Sequence, residues 1–478
     1  MSTDLREQTV APNDGLWAPQ RRPLTSGLVL STTLIAAEAL AVITIAPRIA
    51  HDLGGLRLYG WVFSSFMLAS VIGAVAAGRR SDRAGPASPF LAGLALFAAG
   101  LVVDGAAPSM GVLVLGRTLQ GLGAGALEAV AYVAVGRALP EHLRPRMFAV
   151  LSTAWVLPGL LGPVLSAAVA SLFGWRWVFF GLLPLLALGG LLALPALREV
   201  EPTRAGARVE HRLGDAILVA LGSGLLLAGL GSRSALIAIG LSLGGLVVTI
   251  GALRRLLPPG TLTSRAGLPA VILSRGLLTF AFFGADAFVT LTITTVLHHS
   301  TALATLAITG STLSWAAGAW LQVRLGRRLQ ERALIRIGLA LVLSGIAGMT
   351  LSLLPGVPIG AAVAAWTLAG LGIGLAYSPA SLMMLQQTPA ARQGWASASL
   401  NISDLLGTAL GAGIGGAAIA VGADRGWSTS VAVAVAFGVA ALGAVLALAL
   451  SGRLPRRRRP RRAAGAPVLT AAIESERV

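Results

Sequence analysis

The chain is a succession of apolar stretches of roughly 18 to 25 residues, the first over about 25–46 and the last over about 428–450, separated by short polar breaks. At 1.5 Å per residue each stretch spans a hydrocarbon core of about 30 Å as a helix, in which every backbone N–H and C=O finds its partner within the segment. Counting stretches gives about fourteen crossings. Of the 478 residues 55% are hydrophobic and 12% charged, against about 25% charged in an ordinary soluble domain. The expected fold class is therefore an all-α integral membrane protein. Its 60 glycines suit helices that approach closely in lipid.

Charge gives an independent reading of topology. All 37 basic residues are arginine, and they alternate from loop to loop. One set of loops carries Arg79, Arg80, Arg83; Arg137, Arg144, Arg146; Arg198, Arg204, Arg208, Arg212; Arg254, Arg255, Arg265; and Arg324, Arg327, Arg328, Arg332, Arg336. The opposite set holds Arg48, Arg57, Arg176, Arg233 and Arg425. Arginine-rich short loops resist translocation, so both termini are expected in the cytoplasm, on a multi-pass protein of the cytoplasmic (inner) membrane. The net charge of +18 then follows from topology, and no nucleic-acid partner is expected. The tail "PRRRRPRR", 455–462, fits contact with anionic lipid headgroups. The chain has no cysteine, which excludes disulfides and thiol chemistry. Residues 1–24 contain no apolar core of a cleaved signal.

The chain also repeats. The second and tenth stretches each end in a Gly-started basic hairpin, and the fifth and thirteenth are glycine-rich and exit at Gly174-Trp175 and Gly426-Trp427. This pairing divides the chain into a cytoplasmic N-terminal tail (1–24), a six-helix bundle (25–196), a cytoplasmic linker (197–213), two inserted transmembrane helices (214–253), a second linker (254–275), a second six-helix bundle (276–450) and a basic cytoplasmic tail (451–478). Repeated bundles with a site between them are the architecture of alternating-access carriers.

Three motifs follow in order. "GRRSDRAG" resembles the loop motif Gly-x-x-x-Asp-Arg-x-Gly of the major facilitator superfamily, matched at Gly78, Asp82, Arg83 and Gly85. "LGRTLQGLGAG" resembles that family's fourth-span Arg-x-x-Gln-Gly, at Arg117, Gln120 and Gly121, and "PGLLGPVLSAA" is similar to its fifth-span antiporter motif, at Gly159, Gly162 and Pro163. The fourteen-span layout resembles the larger branch of drug:proton antiporters, although Glu38 stands where that branch usually has Asp, and Pro158, Ala167 and Ala168 replace its preferred glycines. Peptide carriers of the superfamily also insert two helices, but their Glu-x-x-Glu-Arg motif is absent from the first span. The resemblance implies that Asp82 and Arg83 form a cytoplasmic latch, with Asp82 at a helix N-terminus, where the dipole favours an anion.

Charges within a span are costly and functional by default. Glu38 lies near the middle of the first span and Asp286 at the corresponding depth of the ninth. Low dielectric penalises a carboxylate's charge and so equips it to exchange protons. Arg117 and Glu128 are eleven residues apart on the fourth span, about 20° out of phase at 100° per residue, and are expected to line the central cavity, with Arg117 holding Glu38 or a substrate anion. Asp404 is expected either to bond between bundles or to bind substrate, and Asp104 to meet water near the outer surface. Glycine rows at 407, 411 and 415, at 121 and 125, and at 370 and 374 read either as the surface on which the bundles rock or as static seams. Phe280, Phe283, Trp366, Tyr377 and Met384 are the expected apolar cavity wall.

An apolar cavity that bears acids suits lipophilic, often cationic, small molecules. The expected function is proton-coupled efflux of such compounds, driven by the proton gradient without a cofactor. The alternatives are an exporter of lipids or of an endogenous secondary metabolite, and a transport-inactive sensor. No histidine cluster at metal or catalytic spacing and no Walker lysine exist, so neither a metal site nor an enzyme is expected. Protons and membrane lipids are the other expected partners, and a monomer is the expected state.

Overall fold

The computed structural model describes residues 15–200, 210–389 and 393–455. The described residues form α1 (Arg22–Leu53), α2 (Tyr59–Ala84), α3 (Ala87–Gly105), α4 (Met110–Ala138), α5 (Arg144–Thr153), α6 (Val156–Leu172), α7 (Arg176–Phe180), α8 (Leu183–Arg198), α9 (Glu210–Leu230), α10 (Ala235–Leu256), α11 (Leu268–Leu291), α12 (Thr301–Leu325), α13 (Glu331–Leu351), α14 (Ile359–Gln386), α15 (Gln393–Arg425) and α16 (Thr429–Leu450), and no strand. A π-helical turn, Thr292–Val296, extends α11. Most of the expected tails, including the arginines after Pro455, and linker residues 201–209 lie outside the described residues.

Twelve helical stretches are long and apolar enough to cross a membrane. The two expected spans outside that set are the fifth and the tenth. The tenth is α12, 25 residues long with Thr, Ser and Gln along its length. The fifth is divided into α5 and the 17-residue α6. The cause of that break is Pro158, whose ring collides with the carbonyl four residues earlier, at Ala154, and the chain turns at Ala154–Trp155. The bend thus falls ahead of Pro163, which α6 accommodates.

The second linker is shorter than 254–275. Helix α10 runs to Leu256, and α11 starts at Leu268 with a proline in its first turn, a position where the missing N–H costs nothing. Arg275 consequently lies inside the helix.

Packing repeats between the halves. Helix α4 packs on α2 and α3 as α14 packs on α12 and α13; α1 packs on α6 and α8 as α11 packs on α15 and α16; α3 meets α8 as α13 meets α16. Each bundle is thus built alike, and they meet along two symmetry-related seams, α2 with α15 and α6 with α12. The inserted pair α9–α10 leans on α2 and α15 through α9.

Contacts between loops define two ends. At the arginine-poor end Arg57 bonds Asp424 at 3.2 Å and the Gly231 carbonyl at 2.7 Å, and Arg233 bonds Asp424 at 2.9 Å. At the arginine-rich end Arg137 bonds Asp82, Arg336 bonds Ser451, and Arg453 bonds the carbonyls of Thr263 and Ser264.

The arginine-poor end is drawn shut. A Cβ built on Gly60 of α2 would lie 2.5 Å from the Gly416 Cα of α15, so the two backbones touch. Tyr59 Oη donates to the Ala287 carbonyl at 3.1 Å, and Ser64 Oγ to the Ala409 carbonyl at 2.8 Å. These cross-bundle bonds all lie in that half.

The glycine rows are seams inside bundles, not the surface between them. Cβ atoms at Gly121 and Gly125 would strike the Phe66 and Ser70 carbonyls of α2; at Gly370 and Gly374, the Ser311 and Trp315 carbonyls of α12; at Gly407 and Gly411, the Gly276 and Phe280 carbonyls of α11. The inter-bundle surface uses other small residues, such as Gly60, Gly416 and Gly159, where a Cβ would lie 2.2 Å from Thr312 Cγ2.

Candidate functional site

Among the described residues, three buried clusters join intramembrane acids to polar partners. The first joins α1, α2 and α4. Arg117, Glu38 and Gln120 are 2%, 1% and 0% exposed. The Arg117 Nη1 group donates to both Glu38 Oε1 and Gln120 Oε1, and its Nε donates to the Val62 carbonyl at 3.0 Å. The Phe66 ring lies 4.3 Å from the guanidinium carbon. Arg117 and Gln120 share a helix face because they are three apart, and Val62 and Phe66 do the same on α2. A buried ion pair gives back its desolvation cost only when its geometry and further hydrogen bonds are good; here Gln120 and the Val62 carbonyl share the donors of Arg117, while Glu38 Oε2 and Gln120 Nε2 stay unbonded.

The second cluster is built on α11. Asp286, 5% exposed, accepts a 2.8 Å hydrogen bond from Trp366 Nε1 of α14, and no cation pairs with it among the described residues. Trp366 stacks on Phe282 with ring centres 5.1 Å apart. Trp366, expected in the cavity wall, is fully buried and holds the carboxyl instead. Phe280 and Met384 are likewise packed inside the second bundle, Phe280 against Gly443 and Met384 at 3% exposure. Phe283 and Tyr377 both pack against the Trp315 ring.

The third cluster contains an arginine that sequence reasoning missed. Arg275 of α11 is 2% exposed. Its Nε lies 2.9 Å from Asp404 Oδ1 of α15, a charge contact off the hydrogen-bond axis. Its Nη1 donates to the Tyr377 carbonyl at 2.6 Å and to Ser381 Oγ at 3.1 Å, and its guanidinium carbon sits 3.0 Å from the centre of the Tyr377 ring. Tyr377 Oη donates to Asp404 Oδ2 at 3.2 Å. Asp404 thus bonds within its own bundle, not across.

Between the bundles lies Glu128 of α4. It is half-buried and has no hydrogen bond or ion pair among the described residues. One turn further, Tyr132 is 56% exposed while within electrostatic reach of Glu128, Asp404 and Arg275. An exposed side chain within electrostatic reach of charges on both bundles puts Tyr132 beside their junction, toward the arginine-rich end of α4.

The motif residues are placed differently from the expected latch. Helix α2 continues through Ala84, and Gly85 ends it at φ +80°, so Asp82 rides on a last helical turn rather than in a loop. Its partner is Arg137 of α4, at 2.5 Å, which also bonds the Ser81 carbonyl at 3.1 Å. The clip lies within the first bundle, not at a helix N-terminus. Gly78 faces open space. In the third motif, Gly159 abuts Thr312 across the α6–α12 seam, and Gly162 looks onto Leu40 of α1. Asp104, expected in water, is 0% exposed. We expect Asp82→Asn to lower the melting temperature by only a few degrees, because the pair is partly open to solvent, 23% and 30% exposed at its two side chains, and solvent screening holds such pairs to about 1 kcal/mol; differential scanning fluorimetry in detergent measures it.

A family model, Major Facilitator Superfamily, matches residues 28–412, and the chain belongs to that family. It is a multi-pass membrane protein of two pseudo-symmetric bundles with an inserted pair. Among curated proteins it is similar to a probable multidrug-efflux transporter of Mycobacterium tuberculosis (strain H37Rv), 37% identical over 178 residues, 37% of this chain and 38% of the relative. It is also similar to an acurin A biosynthesis cluster MFS-type transporter of Aspergillus aculeatus, 30% over 201 residues, 41% and 36%, and to multidrug resistance protein 3 of Bacillus subtilis, 33% over 162 residues, 34% and 32%. The match thus spans less than two fifths of each of these relatives. Among solved structures, a peptide transporter in complex with alafosfalin superposes with a TM-score of 0.67 at 15% identity over 92% of this chain and 96% of that one. The human organic anion transporter MFSD10 gives 0.60 at 16% over 91% and 99%. At such identities these likenesses establish the fold alone.

Proposed function

We propose that the protein is a proton-coupled exporter of lipophilic small molecules, cationic ones included, that works by alternating access in the cytoplasmic membrane with its arginine-rich end inside. The observation that carries this reading is a pair of buried acids on equivalent helices: Glu38 on α1 and Asp286 on α11, each 5% exposed or less, the second without a counter-charge. The family, and relatives named as efflux transporters over their matched segments, support it.

In the arrangement seen, the arginine-poor seam is shut, and a cationic compound entering between the bundles at the other end would meet the carboxylate of Glu128 and the ring of Tyr132. Protonation of Glu38 removes the charge that Arg117 holds. Arg117 must then find another partner, since a charge left without one would cost about 3–5 kcal/mol, comparable to the roughly 5.5 kcal/mol that moves a two-state equilibrium from 1:99 to 99:1. A proton is therefore an adequate trigger for rocking the bundles. The chain acts as a monomer, with no cofactor and no catalytic role in bond-making.

The test is transport into proteoliposomes under an imposed pH gradient, with ethidium, neutral lipophiles and lipids as probes. Wild type is expected to move a lipophilic compound with the gradient; Glu38→Gln and Asp286→Asn are expected to abolish the gradient's effect. Movement that ignores both the gradient and the substitutions overturns the reading. The likeness to a transporter of a fungal biosynthesis cluster favours one second reading, export of a self-made metabolite, which the neutral and lipidic arms of the panel detect.

A further inference from the structure

Asp104 sits one residue from the end of α3, at the arginine-poor end, wholly buried with neither carboxylate oxygen bonded. It packs against Gly116, the residue before Arg117: a Cβ there would lie 2.1 Å from Asp104 Oδ1. One turn back, Gly100 is pressed onto Gln120, whose Cγ would be 2.5 Å from an added Cβ. Asp104 thus borders the first cluster and is within electrostatic reach of Arg117 and Glu38. That cluster holds four unbonded buried atoms or groups: Glu38 Oε2, Gln120 Nε2 and the two oxygens of Asp104.

Charge in this neighbourhood is countable. The elements packed on α3 are α2, α4, α7 and α8. At this end they offer two guanidinium groups, Arg117 and Arg176. Arg176 is engaged elsewhere, donating to the Ala107 carbonyl at 3.1 Å and lying over the Trp175 ring at 4.3 Å. Asp52 of α1 accepts from Trp175 Nε1 at 3.0 Å. Two buried carboxyls, Glu38 and Asp104, therefore share the one guanidinium of Arg117. An isolated buried carboxylate is far too costly to persist. With Arg117 on Glu38, the cluster is neutral only if Asp104 carries a proton.

We propose that Asp104 is the outer member of a two-carboxyl proton path, and that Arg117 changes partner between Glu38 and Asp104 as the proton passes. The proton leaves an Asp104 oxygen, breaking one O–H bond, and forms another at Glu38 Oε2. Arg117 moves its ion pair the opposite way, from Glu38 to Asp104. Net charge stays at zero throughout, so the exchange avoids a bare charge in the membrane. Since Asp104 lies toward the arginine-poor end and Glu38 at mid-depth, the path runs from the outside inward, the direction that drives export. This rests on the proton-coupled reading for its purpose, though not for its test.

The test is infrared difference spectroscopy on the purified full chain at neutral pH, without substrate or gradient. The C=O stretch of a protonated carboxyl is expected in the wild-type minus Asp104→Asn spectrum. The same band is expected to vanish from the Glu38→Gln minus Glu38→Gln/Asp104→Asn spectrum, because Arg117, released from residue 38, then pairs with Asp104 and ionises it. A buried acid that merely fills space keeps its proton in both backgrounds, and a band that survives Glu38→Gln overturns the proposal. So does a wild type with no Asp104 band. If Asp104→Asn fails to fold, Asp104→Ser serves the same subtraction. Failure of the transport assay above leaves these spectra unaffected, so the two ideas fail separately.

Discussion

Arg117→Met destabilises the protein by about 3–5 kcal/mol, the cost of stranding a buried ion-pair partner, and the double variant Glu38→Gln/Arg117→Met recovers most of that loss. The reason lies in the surroundings of the pair. Glu38 is 1% exposed, and the donor it has is Arg117. Removal of the guanidinium alone leaves Glu38 either ionised without a partner or protonated at an energetic cost, whereas neutralising both sides leaves no buried charge without a partner. Thermal unfolding in detergent of the wild type, both singles and the double gives the coupling energy directly. A double variant no more stable than Arg117→Met refutes an ion pair at this site. Transport driven by a pH gradient is expected to be absent in all three variants, because the acid proposed to take the proton has lost either its proton site or its partner.

A disulfide between Ser64→Cys and Gly413→Cys locks the outer seam and stops transport, and reductant restores it. A Cβ built on Gly413 would lie 2.8 Å from Ser64 Oγ across the α2–α15 contact, close to the roughly 3 Å between a Cβ and the far sulfur of a disulfide, once the Leu227 side chain, 2.4 Å from the same Cβ, gives way. The chain has no native cysteine, so the cross-link has no background. A locked outer seam forbids the outward-open state that alternating access needs, and initial rates are expected to fall to the protein-free level under oxidation. Equal rates before and after a complete cross-link mean that the bundles do not part here. The inserted pair sits on this seam, with Leu227 of α9 against Gly413 and Arg233 bonded to Asp424. Under the proposed alternating access, parting this seam moves three bodies.

The division into helices was legible because length and polarity decide what can cross lipid, and arginine decides which loops stay behind. Glu38, Arg117 and Asp286 were legible too, since a charge inside an apolar run is conspicuous. Arg275 was not, although a cue existed. The run 268–273 is apolar with a Pro at its second position, a helix start, but a helix begun at 276 leaves the arginine in a basic linker. Asp104 was misread because its depth depends on which residue of α4 it meets, and only Gly116 leaves room for a carboxyl. The glycine rows gave close packing without a partner, since periodicity names a face of a helix and not the helix opposite. A basic hairpin predicts a loop at Asp82, whereas α2 keeps its helical bonds to Ala84.

The most direct measurement of proton coupling runs the exchange backwards. Proteoliposomes with a trapped pH indicator and no pH gradient receive a lipophilic cation, ethidium, on one side only. By reciprocity between coupled ligands, the account predicts proton movement opposite to the cation in wild type and none in Glu38→Gln/Asp286→Asn. Ethidium that crosses in the wild type with the indicator unchanged contradicts it.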